Sequence, residues 1–248
     1  MCTVVVSFEP GSRLPLIILA VRDELLGRPW LPPAEHWSEY PGLIGGIDLA
    51  AGGTWLALDP AAHRVGFVLN GVGQMASLEG RRSRGELPLL MAEGGSLPED
   101  LTPFDPFHLV TADPAGVTMV SWDGERRAET QLPTGITVIV NSGLDPAEPR
   151  AERLIPLLAK ATRPEPRPGE SAQTAWGQWL ELASGQDIAR EDPRALILRG
   201  LTPDNIAHGS SSVTLLAISQ DYLRFDFVAV PDEPGPLSEL QVVLDERA

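Results

Sequence analysis

Cys2 is the residue best equipped for covalent chemistry, because its position matters as much as its type. Methionine aminopeptidases favour a small second residue, so Met1 is expected to be removed and Cys2 to carry a free α-amino group. That amine titrates near ~8 and a thiol near ~8.5. One residue can then supply both a nucleophile and the base that activates it. Such a residue must stand at the start of a rigid element, and the run Thr3-Val4-Val5-Val6 supplies a β-branched strand. Without chemistry, the same cysteine is a small apolar side chain in a core. Arg22-Asp23-Glu24 forms a second cluster. An arginine beside a thiol lowers its pKa, and an aspartate holds a terminal amine or ammonium. Three charges after a strand are otherwise a solvated turn, so this cluster gains meaning only where Cys2 lies beside it.

The elements that must position these groups are mostly strands. Residues 2–8 and 16–21 read as an opening hairpin turned at Pro10, Gly11 and Pro15, with Arg22, Asp23 and Glu24 emerging at its far end. Residues 28–53, rich in proline and glycine, read as an irregular connection. Strands are predicted at 54–58, 65–70, 107–111, 117–122, 128–132 and 136–140, with a short helix at 87–93 that carries Pro88 in its first turn. A helix at 147–162 puts Leu154, Leu157 and Leu158 on one face, and Pro156 is expected to kink or split it. A proline-rich linker covers 163–170. A second helix at 172–183 places Trp176, Trp179 and Leu180 at helical spacing, most simply as core. Gly209 to Ser212 reads as a turn opening a hairpin of 213–219 and 222–228, and a last strand is expected at 237–244. Strands, then helices, then strands suit an α+β chain of antiparallel sheets covered by helices. No repeat divides it, and a single domain over 1–248 is expected.

Composition removes several function classes. The formal net charge of −15 opposes phosphate backbones and anionic membranes, so nucleic acid is not expected as a partner. One cysteine excludes an internal disulfide and a multi-thiolate zinc site. His36, His63, His108 and His208 lack paired metal-ligand spacing. No apolar run approaches the ~20 residues of a membrane span, and the N-terminal segment lacks the charge and apolar pattern of a secretory signal. The cytoplasm is the expected address. Gly52-Gly53 and Gly71-Val72-Gly73 lack the neighbours that phosphate or dinucleotide loops need.

Several blocks carry a resemblance when taken in order. They are Met1-Cys2-Thr3, Arg22-Asp23-Glu24, Arg28-Pro29, Trp37, Gly52-Gly53-Thr54-Trp55-Leu56, Leu69-Asn70, Ser83-Arg84-Gly85, Val140-Asn141-Ser142-Gly143-Leu144 and His208-Gly209-Ser210-Ser211-Ser212-Val213-Thr214. The chain resembles the NRDE family, also named for transport and Golgi organization protein 2, over most of its length. The resemblance implies an N-terminal-nucleophile hydrolase-like fold, a four-layer αββα sandwich with two antiparallel sheets. By analogy with cysteine amidases, Cys2 attacks a linear amide, Arg22 and Asp23 tune it, and Asn141 and Asn70 offer amide donors to the oxyanion. Trp55, His208 and Ser211 are expected at the substrate. No cofactor or metal is required. The alternative is a non-catalytic binding or trafficking protein for haem or a lipid-like ligand, with Cys2 or His208 as axial ligand. A third reading is a degenerate member used for protein contacts. Two positions depart from the family pattern: Val21 stands where the family has asparagine, and Ser211 where it has arginine. Substrate and oligomeric state are not legible.

Overall fold

The structure, a computed structural model, describes residues 2–237 and 239–247. Met1, on whose removal the Cys2 chemistry depends, lies outside the described residues, as does Ser238 within the expected last strand. In chain order the described elements are β1 (Thr3–Phe8), β2 (Leu16–Leu25), β3 (Trp30–Ala34), β4 (Ile44–Asp48), β5 (Leu56–Asp59), β6 (Arg64–Asn70) and α1 (Leu87–Glu93). There follow β7 (Phe107–Asp113), β8 (Gly116–Trp122), β9 (Arg127–Gln131), β10 (Gly135–Ile139), α2 (Pro149–Lys160), α3 (Ala172–Trp176) and α4 (Gln178–Ser184). The last are β11 (Arg199–Leu201), β12 (Ala207–Ile218), β13 (Tyr222–Ala229) and β14 (Gln241–Arg247). The chain is α+β with two antiparallel sheets. By contacts it divides into two compact units, residues 1–27, 134–140 and 144–248, and residues 28–133 and 141–143.

The first unit is built on a sheet of order β10-β1-β2-β12-β13-β14, with β11 added beside β12. Val5, Ile17, Leu19, Val21, Val213, Leu215 and Ala217 alternate onto one face and form a core with Leu154, Leu158, Trp176, Trp179 and Leu180. Val4, Val6, Ile18 and Leu216 on the other face are buried too. This explains why these strands read as continuous apolar runs rather than alternating ones.

Helix α2 starts at Glu148, whose carboxylate accepts from the backbone N–H groups of Arg150 and Ala151 at 2.9 and 3.1 Å. The expected break at Pro156 does not occur. The helix runs through it with the proline on the exposed side. Pro156 has no N–H to give the Glu152 carbonyl, and both residues are exposed, while Leu154 and Leu158 hold the buried side. The expected single helix at 172–183 is instead α3 and α4, divided at Gly177, whose φ of 47° suits a residue without Cβ. Trp176 is core and donates its indole N–H to Asp226, a buried carboxylate that also pairs with Arg224 at 2.8 Å.

The second unit holds a sheet of order β3-β4-β5-β6-β7-β8-β9, with α1 packed through Leu87 onto Phe107, Leu109, Val120 and Trp122. The expected irregular connection at 28–53 contains β3 and β4. Pro32 and Pro33 are tolerated because β3 is an edge strand with a register shift between Leu31 and Ala34.

The largest correction concerns the charged cluster. Arg22, Asp23 and Glu24 are not a solvated turn: β2 continues through them to Leu25. Nor is the segment Gly209 to Ser212 a turn. It lies inside β12 and pairs with β2, Ser210 opposite Asp23 and Gly209 opposite Glu24, with a bulge at Ser211.

Candidate active site

In the first unit, β1 and β2 are joined in a register that sets Thr3 opposite Val21. Cys2 therefore stands at the strand end where the charged cluster of β2 continues. Its thiol donates to the carbonyl oxygen of Asp23 at 3.5 Å. Cys2 is half-buried, and its thiol pKa is pushed up by desolvation and, next, by the Asp23 carboxylate. The raised pKa favours the neutral thiol over the thiolate.

Residues two apart on a strand share a face, as do residues directly opposite on paired strands. Thr3, Val21, Asp23 and Ser210 accordingly face one way. Val21, where the family carries asparagine, belongs to the helix-side core. Asp23, two residues on, meets the first turn of α2. Its Oδ2 receives Arg150 at 3.0 Å, and its Oδ1 receives the Ser210 hydroxyl at 2.6 Å. The same guanidinium nitrogen of Arg150 donates to Thr3 Oγ1 at 2.6 Å. The side chains of Asp23 and Arg150 are 0% and 1% exposed, so the pair is desolvated and strong only while both partners are present. Ser210 Oγ also accepts the Leu198 N–H at 2.9 Å.

Arg22 is also buried. It donates to Ser211 Oγ at 3.0 Å and lies 3.7 Å from Glu24, while the Ser211 hydroxyl donates back to the Arg22 carbonyl at 3.2 Å. The bulge in β12 thus gives two successive serines to two successive charged residues of β2: Ser210 to Asp23 and Ser211 to Arg22. At the position where the family carries arginine, Ser211 serves as an anchor for Arg22. His208 pairs with Leu25 at the end of the same strand. It is half-buried, and desolvation pushes its pKa down.

Asn70, Trp55 and Asn141 belong to the second unit. Asn70 is exposed at the end of β6, opposite Phe107 of β7. The next residue of β7, His108, bonds Ser121 Oγ through Nδ1 at 2.8 Å and the Asn141 carbonyl through Nε2 at 3.2 Å. A carbonyl only accepts, so Nε2 carries the proton and Nδ1 accepts from the serine. Burial pushes the His108 pKa down, which keeps it neutral. Gly143 packs against the same ring at a φ of 87°, where a Cβ would sit 3.0 Å from His108 Cε1. Trp55 packs edge-on against Trp30 at 5.8 Å.

The structure brings Cys2, Arg22, Asp23 and Ser211 together and adds Arg150, Thr3 and Ser210, which sequence reasoning missed. Arg150 left one signal. It occupies the apolar stripe of α2 shared by Leu154 and Leu158, and it lies in the first turn, where the helix dipole disfavours a cation. His108 left none beyond its type.

The model of the family described as Transport and Golgi organisation 2 matches residues 1–222. The chain belongs to that family. The match to the Transport and Golgi organisation 2 family covers both units and the whole cluster around Cys2, and ends at the first residue of β13. No curated protein matches the chain. Among solved structures, a mutant of the conjugated bile acid hydrolase from Clostridium perfringens aligns over 98% of this chain and 97% of its own, at 12% identity and a TM-score of 0.44. Among the described residues, no helix is long and apolar enough to cross a membrane.

Proposed function

We propose that this chain is an N-terminal-cysteine hydrolase, laid out like the N-terminal-nucleophile enzymes, that cleaves a linear amide. The observation that carries the reading is the Cys2 thiol resting on the Asp23 backbone at 3.5 Å, beside a buried arginine and a buried aspartate. A thiol held neutral by burial needs a base at its side. Removal of Met1 supplies one on the same residue. The α-amine takes the thiol proton as Sγ bonds to the carbonyl carbon, and the oxygen becomes an oxyanion. The proton then passes to the departing nitrogen as the C–N bond breaks, leaving a thioester on Cys2. Water, deprotonated by the same amine, cleaves the thioester, releases the acid and restores the thiol. Arg22, anchored by Ser211, offsets the Asp23 charge at the thiol.

The test is turnover of a panel of N-acyl amides, with intact mass measured in parallel. Loss of Met1, hydrolysis by the native chain and none by Cys2→Ala, with the two proteins melting alike, is the expected result. Full activity in Cys2→Ala removes the mechanism. A native chain that retains Met1 and still hydrolyses removes the role of the amine.

A further inference from the structure

Arg150 reaches both the residue that follows the thiol and the residue that receives it. It lies on α2, 127 residues from Asp23 and 147 from Thr3, and is 1% exposed. Its NH1 is 2.6 Å from Thr3 Oγ1, on the residue that follows the nucleophile. It is 3.0 Å from Asp23 Oδ2, on the residue whose carbonyl receives the thiol. Its own backbone N–H is held by Glu148 at 2.9 Å, which fixes the turn that carries it.

We propose that Arg150 is a positioning residue for Cys2, a buried clamp that ties Thr3 to Asp23 from the helix side of the sheet and so sets the place of the thiol. This rests on the reading of Cys2 as the nucleophile. Geometry and charge act together. The clamp fixes the backbone that holds the thiol, and the guanidinium offsets the Asp23 carboxylate, which opposes thiolate formation. Other charged and titratable groups at the site are the terminal α-amine, Arg22 and Glu24 on β2, His208 on β12 and Glu148 at the start of α2. Arg150 touches two residues that hold the thiol in place, Thr3 and Asp23.

The test is the pH profile of alkylation of the chain's single cysteine by iodoacetamide, followed by intact mass. Arg150→Met should label about tenfold more slowly at neutral pH, with its profile moved to higher pH, because the Asp23 carboxylate that raises the thiol pKa loses the guanidinium offsetting it. Arg150→Lys, which keeps the cation, should restore most of the profile. Leu154→Ala, one turn along the same buried stripe, should lower Tm without moving the profile, separating positioning from destabilisation. A folded Arg150→Met protein with the native profile overturns the proposal. Where that variant does not fold, Thr3→Val opens the clamp from its other end. Labelling about fivefold slower supports the clamp, and native labelling overturns it. Labelling reads the thiol without turnover. Failure of the clamp leaves the hydrolase reading standing, and absence of amide turnover leaves the clamp standing.

Discussion

Asp23→Asn keeps the shape of the side chain and removes its charge. The carboxylate accepts Arg150 on one oxygen and Ser210 on the other. An amide has one acceptor, so its oxygen must turn toward Arg150 and its NH2 toward Ser210 Oγ. Ser210 Oγ tolerates this, since it can accept from both the amide and the Leu198 N–H and turn its own proton toward the Leu196 carbonyl, 3.5 Å away. The hydrogen-bond pattern therefore largely survives, and the loss is electrostatic: a guanidinium 1% exposed loses the carboxylate 3.0 Å from it. Breaking a buried pair from one side costs about 3–5 kcal/mol, against a total stability of about 5–15 kcal/mol. At an m-value of about 3 kcal/mol/M in urea, the midpoint should fall by about 1–1.7 M. The assay is urea unfolding followed by tryptophan fluorescence, run on Asp23→Asn, Arg150→Met and the double variant. The double variant should cost less than the two singles together, by about 2 kcal/mol. A midpoint shift in Asp23→Asn below about 0.3 M, or strictly additive costs, would refute the account of this pair as a desolvated ion pair.

Two further outcomes follow. Burial holds the His108 pKa below the ordinary histidine value, so its contribution to stability is present above about pH 6.5 and is lost as pH falls through the lower folded value. Tm scanned from pH 7 downward should decline less steeply in His108→Gln than in the native chain; parallel slopes would show that the imidazole does not drive the decline. Pro156→Ala should restore a main-chain hydrogen bond on the wet side of α2 and raise stability by about 1–3 kcal/mol, seen as a higher Tm. A lower Tm would mean the proline is matched to a bend that the helix needs.

The apolar strands were legible because β1, β2, β12 and β13 are buried on both faces and read as unbroken runs. The edge pair β3 and β4 was not, since Pro32, Pro33, Gly45 and Gly46 give the composition of a loop while edge position makes them tolerable in a strand. The charged end of β2 was misjudged for a different reason. Charges usually mark where a strand leaves the core, but here Arg22 and Asp23 find partners supplied by other elements. Ser210 and Ser211 lie nearly 190 residues away and Arg150 127 residues from Asp23, beyond the reach of any local pattern. The strand that Cys2 precedes was legible in the β-branched run Thr3-Val4-Val5-Val6. What holds Cys2 was not.

The order of the strands also sets a schedule for synthesis. β1 can pair with β2 early, but its other neighbour is β10, and the free edge of β2 waits for β12, which ends at Ile218. At about 5–20 residues per second, a ribosome needs roughly ten to forty seconds to travel from the end of β2 to the end of β12. Through that interval Arg150, Ser210 and Ser211 are still unmade or newly made, and nothing encloses the segment that carries Cys2. The cluster around the thiol is complete only once the last of its partners has emerged, so its assembly is timed by chain length.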